Sequence, residues 1–166
     1  MAQAERTRRP QQSKLCIVIQ FRKRSGERPI PGVQHLRYMA IATRLISYAE
    51  VDTQPSHPEQ VSIAVRHELE LADGCRVLLL NDRGWGSTGT WAELSLKEIQ
   101  ENARTVVGPD WPPEGLSHEY MAQSHWAYIQ RIAQQQGVFV DADELRQLPH
   151  DVVPSDRLLA KIGHRT

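Results

Sequence analysis

His67, Asp82 and Arg83 are the residues of this sequence best placed to do chemistry. His67 sits in an alternating run, Val61 to Leu71. Asp82 and Arg83 follow the next apolar run, Arg76 to Leu80. If the two runs form a hairpin turning at Asp73-Gly74, His67 lies opposite Leu80 and close to the Asp82 backbone. A carboxylate beside an imidazole orients the ring and raises its basicity, which is the usual general-base arrangement. No nucleophile accompanies them. Ser87 and Thr88 are near in the chain, but neither sits in the strained G-x-S-x-G turn that would activate it. The plainer role is a hydrogen-bonded histidine at the core edge, with Asp82 paired to Arg83 or Arg66.

The connection that carries Asp82 and Arg83 is unusual. Residues 81–91 hold three glycines and two tryptophans, Trp85 and Trp91. Gly84, Gly86 and Gly89 spell G-x-G-x-x-G between a strand and a helix, the pattern that cradles a dinucleotide. That chemistry requires a parallel strand–helix–strand unit and an acidic ribose ligand in a second strand. Here the preceding strand belongs to a hairpin, and no buried parallel strand follows the helix, so no cofactor is expected. Trp85, flanked by glycines, is expected to be an exposed anchor for a partner rather than core.

The other candidates are thinner. His118 and His125 are seven apart on one predicted helix, which separates them by ~10 Å of helical rise. That is too far to share one metal ion, so no metal site is expected. His150-Asp151 falls in a proline-bounded connection, with the histidine read as exposed. Trp111 stands before two prolines and is a second candidate interaction anchor.

The elements that must position these residues read as strands followed by helices. Ala40 to Val51 has imperfect alternation and could open as a helix. A strand is chosen because strands follow it and a meander is the simplest connection. Val61 to Leu71 alternates over its whole length and is a strand with one buried face. Asp73-Gly74 predicts a two-residue type I′ turn that pairs Leu71 with Arg76, Leu69 with Leu78 and His67 with Leu80. Leu15 to Phe21 is a further short strand.

Ser95 and Glu98 form a capping box for a helix ending at Gly108-Pro109. Ser117 caps a long helix to Gln136, stopped by Gly137. Asp141 caps a short helix through Leu148, and Pro154-Ser155 opens a last one ended by Gly163. The fold class is therefore α+β: an antiparallel meander of about four strands, then about four helices packed on one face.

The 166 residues suffice for a single globular domain over 14–166, preceded by a disordered basic tail over 1–13. No apolar run approaches the ~20 residues that span a bilayer, so no membrane partner is expected. Two cysteines, Cys16 and Cys75, sit in apolar runs and read as buried thiols of a cytoplasmic, bacterial-type protein. Net charge is zero, but residues 1–28 hold eight basic side chains against two acidic ones. That arm carries +6 and the remainder −6.

These features point first to a non-enzymatic protein that binds another protein, of the inhibitor or immunity type. Its surface would be Asp82, Arg83, Trp85 and Trp91 with the acidic strand face of Glu68 and Glu70, and with Trp111. A small hydrolase or transferase using His67, Asp82 and Arg83 is the alternative. A nucleic-acid-associated protein acting through the basic arm 1–28 is the second alternative.

Overall fold

The computed structural model describes residues 40–53 and 60–163. The tail 1–13, the strand 15–21 with Cys16, and the basic arm 1–28 lie outside the described residues.

The chain forms β1 (Ala42–Val51), β2 (Val61–Leu71), β3 (Arg76–Ser87), α1 (Leu96–Val106), α2 (His118–Gln135), α3 (Ala142–Gln147), β4 (His150–Pro154) and α4 (Asp156–Lys161). The fold is α+β. The four strands lie in the order β3-β2-β1-β4, with β1/β2 and β2/β3 antiparallel and β4 parallel to β1. The expected purely antiparallel meander is therefore corrected to a mixed sheet. The overlooked strand is β4, read from sequence as a loop. It has five residues with Val152 alone buried, too short for alternation to show. It docks because Leu45 donates to the Pro149 carbonyl at 2.8 Å and Ser155 to the Ala49 carbonyl at 2.9 Å.

The hairpin turn also differs from expectation. Gly74 has φ +80°, and among the described residues none other than glycine takes positive φ. Asp73 keeps ordinary backbone because its side-chain oxygen accepts from the Cys75 amide at 2.9 Å. Gly74 donates to the Leu71 carbonyl and Leu71 to the Cys75 carbonyl, each at 2.9 Å. This is a three-residue loop ending in a left-handed glycine, not a type I′ turn.

The extra turn residue slides the register by one. Glu70 faces Arg76, Leu69 faces Val77, and Glu68 faces Leu78. An irregularity at Leu79 then restores the expected His67–Leu80 pair. Cys75 consequently sits at the turn exit, half-buried and disulfide-bonded, where a buried free thiol was expected.

One face of the sheet is core. Leu45 and Ala49 of β1, and Val61, Ile63, Val65 and Leu69 of β2, join Ile99 and Ala103 of α1 and Ile129 and Ala133 of α2 in one buried cluster. The helix residues are spaced by four, so each pair shares one helix face. Burying each large side chain contributes roughly 1.5–3 kcal/mol, the dominant favourable term.

The helix starts follow the sequence. Ser95 accepts from the Glu98 amide, Ser117 from Tyr120 and Ser155 from Leu158. Asp141 precedes α3 without a side-chain capping bond. Gly137 and Gly163 take positive φ just beyond α2 and α4. Among the described residues no helix is long and apolar enough to cross a membrane.

Candidate functional site

A second irregularity in β3 positions Arg83. Between the pairs His67–Leu80 and Val65–Arg83, β3 contributes one residue more than β2. Asn81 and Asp82 are both exposed as a result, and Arg83 returns to the inward side. Opposite it runs α2, on which Ser124, Tyr128 and Arg131 recur at helical spacing. The segment between α1 and α2, stiffened by Pro109, Pro112 and Pro113, brings in Asp110.

Together Arg83, Asp110, Met121, Ser124, His125, Tyr128 and Arg131 line a cleft of about 250 Å³. Arg83 donates to Asp110 at 2.8 Å, and Asp110 is mostly exposed at the rim. The Arg131 guanidinium lies 6.0 Å from the centroid of the Tyr128 ring. His125 packs edge-on against Trp126 at 5.1 Å, and its buried Nε2 has no hydrogen-bond partner.

Burial, and then the Arg83 cation, hold the His125 pKa below the ordinary histidine value, against a smaller opposing pull from Asp110. At neutral pH the lining therefore carries two guanidiniums, one carboxylate and a neutral imidazole, a net charge of +1. Two hydroxyls, on Ser124 and Tyr128, add donors. Such a lining suits one negative charge, and His125 Nε2 is hydrogen-bonded to neither hydroxyl.

His67 belongs to a different group of residues. Ser47 Oγ lies 2.8 Å from His67 Nδ1 and 2.8 Å from His150 Nε2, tying β2, β1 and β4 together. The two rings meet edge-on at 5.0 Å. A serine hydroxyl has one proton, so it can donate to at most one of the two imidazoles, and the other ring must donate to it. Ser47 and His67 are fully buried. Burial first, then the neighbouring His150 and His125, push the His67 pKa down to about 3. That histidine is a neutral structural group at pH 7. Asp82 is exposed while His67 faces the core, so the structure gives His67 serine and histidine as partners. His150, expected as an exposed loop residue, is half-buried in β4.

The remaining candidates separate. Glu70 accepts from Arg44 at 2.8 Å and from Arg76 at 3.0 Å, and Glu68 pairs with Arg66 at 2.9 Å. Arg76 also donates to Tyr48. The expected acidic strand face is thus an ion-paired layer with its charge largely met. Trp85 lies within β3 opposite Ile63, half-buried and packed against the core, with Nε1 unbonded. Residues 82–87, expected as loop, continue the strand.

Trp91 opens a 3-10 turn and also packs on the core, with the Lys161 ammonium 5.3 Å from its ring centroid. Trp111 is 82% exposed and touches the His118 ring edge-on at 4.6 Å. The three glycines have strand and turn roles. A Cβ on Gly84 would fall 2.4 Å from the Ile63 carbonyl oxygen, so glycine there lets β2 and β3 approach.

Sequence reasoning missed His125, Tyr128 and Arg131 as one site. Tyr128 and Arg131 fall on the exposed side of α2, which is what a solvated face looks like, and His125, four residues before Ile129, reads as a packing histidine. Among the described residues no three of His, Cys, Asp and Glu converge as metal ligands. No protein-family model, curated protein or solved structure matches the chain.

Proposed function

We propose that this chain is a non-enzymatic binding protein that engages another protein through the Trp111 ridge and the adjoining Arg83–Arg131 cleft. The observation that carries the reading is Trp111. An indole 82% exposed is costly to keep in water, and here it is presented on a proline-stiffened segment and braced by His118. Leu116, just before α2, and Tyr120, in its first turn, are also exposed. Asp110, the chain neighbour of Trp111, lines the cleft, and Tyr120 lies four residues before Ser124 on the same side of α2. Rigid aromatic anchors beside guanidinium groups are the composition of interface hot spots.

Two features weigh against the enzyme alternative. His67 is neutral and bonded to a buried serine, and in the cleft His125 Nε2 is hydrogen-bonded to neither the Ser124 nor the Tyr128 hydroxyl. The partner surface thereby moves from residues 82–91 to the segment 110–131, with Arg83 and Trp111 retained from the sequence expectation.

The test compares cross-linked partners of the wild type and of Trp111→Ala in extracts of the source cells. A protein captured by the wild type and lost from a folded Trp111→Ala variant supports the reading. An identical set of captured proteins overturns it.

A further inference from the structure

We infer that the Arg83–Arg131 cleft is a carboxylate site, which receives an aspartate or glutamate side chain presented by the partner protein. The inference rests on the binding reading above and names the chemistry that the cleft contributes to it.

Charge decides the class of ligand. Arg83 already spends part of its donor set on Asp110 at 2.8 Å. Arg131 lies over Tyr128 and, among the described residues, pairs with no carboxylate. A guanidinium that lacks an anion keeps several directed donors, and its preferred partner is a planar oxyanion held side-on. With Asp110 included the cleft is short of one negative charge, the charge of a carboxylate. A phosphate brings close to two at neutral pH and would meet the Asp110 carboxylate at the rim.

The hydroxyls supply the second element. Ser124 and Tyr128 line the cleft, are exposed, and can each donate to a ligand oxygen. His125 forms part of the wall as a neutral ring with Nε2 closed to solvent, so it adds no charge.

The source of the carboxylate follows from size and surroundings. At about 250 Å³ the cleft falls below the roughly 300–1,000 Å³ of sites that enclose a whole small molecule. It adjoins the exposed aromatic ridge, so an acidic side chain with an apolar neighbour in the same segment meets both surfaces.

The experiment uses the full chain labelled with nitrogen-15, at pH 7 and low salt. It is titrated separately with acetyl-Ala-Glu-Leu-amide, its glutamine counterpart acetyl-Ala-Gln-Leu-amide, sodium acetate and inorganic phosphate. The glutamate peptide is expected to give saturable shifts at Ser124, His125, Tyr128 and Arg131, with half-saturation in the millimolar range, as suits one charged contact. The glutamine peptide, and the glutamate peptide on Arg131→Gln, are expected to bind at least tenfold more weakly. The variant's melting temperature should be unchanged because Arg131 is exposed.

Acetate is expected to reach the same residues at higher concentration than the peptide. Acetate equal to the peptide would overturn the protein source in favour of a free small acid. Phosphate saturating below the peptide would overturn the carboxylate assignment, and equal shifts from the glutamate and glutamine peptides would overturn the site. These arms are independent of Trp111. The failure of the carboxylate site is thereby distinguishable from the failure of the Trp111 capture test, which bears on the function alone.

Discussion

Ser47 and His67 face each other across the β1/β2 pair and share a 2.8 Å hydrogen bond inside the core, with His150 closing the group from β4. The arrangement makes the fold acid-sensitive. The His67 pKa is about 3 in the fold against an ordinary 6.5. The unfolded chain therefore binds the proton more readily. The stabilisation is complete above pH 6.5 and is lost progressively as pH falls from 6.5 toward 3. The slope is at most ~1.4 kcal/mol per pH unit. Urea melts should show about 2–3 kcal/mol less stability at pH 4.5 than at 7. His67→Gln should start less stable and show a flatter slope. An unchanged slope in the variant would refute the assignment.

Gly84 is required by space rather than by backbone angle. Gly84→Ala places a Cβ 2.4 Å from the Ile63 carbonyl oxygen, a backbone atom that cannot swing aside. A loss of ~1–3 kcal/mol is expected from the forced separation of β2 and β3. At Gly86 the nearest atoms are 3.4 Å away, so Gly86→Ala should cost much less. Equal melting temperatures for the two variants would contradict this difference.

The tryptophans should divide by position. Trp85 is half-buried against the core, and Trp85→Ala is expected to lower stability by about 2 kcal/mol. Trp111→Ala should stay within ~0.5 kcal/mol of the wild type, because little of the ring is covered. Thermal melts of both variants check the pair. The sequence expectation had Trp85 as the surface anchor.

Glu70 holds two guanidiniums at once. Its carboxyl pKa lies below the ordinary value, where hydrogen bonds from Arg44 and Arg76 and their charges outweigh the opposing effect of burial. Glu70→Gln is expected to cost ~1 kcal/mol at low salt by leaving Arg44 and Arg76 without their shared anion. Added salt should shrink the loss. A loss independent of salt in denaturant melts would point to packing instead.

Long, regular signals were legible in the sequence. Val61–Leu71 alternates without a break, and Ser95, Ser117, Gly137 and Gly163 mark helix ends by local chemistry that does not depend on the rest of the chain. The turn was misread because Asp-Gly serves both a two-residue and a three-residue loop. The choice depended on whether the Asp73 side chain would bond the Cys75 amide.

β4 and the cleft were illegible for a different reason. Each is defined by partners far away in the chain. Nothing in His150-Asp-Val-Val-Pro154 announces that it will lie beside Leu45, or in Arg131 that it will share a cleft with Arg83.

The pairing of β4 with β1 bears on how the chain is made. Ser47 and His150 are 103 positions apart, so β1 remains without its second neighbour until nearly all of the polypeptide described here has been synthesised. A ribosome-bound chain halted after α2 would have the β1–β3 hairpins but would still lack Val152 and Leu158 of the core. Contacts between such distant parts of the chain form late and slow the final step of folding. The waiting intermediate exposes an unsatisfied strand, the kind of surface that chaperones hold.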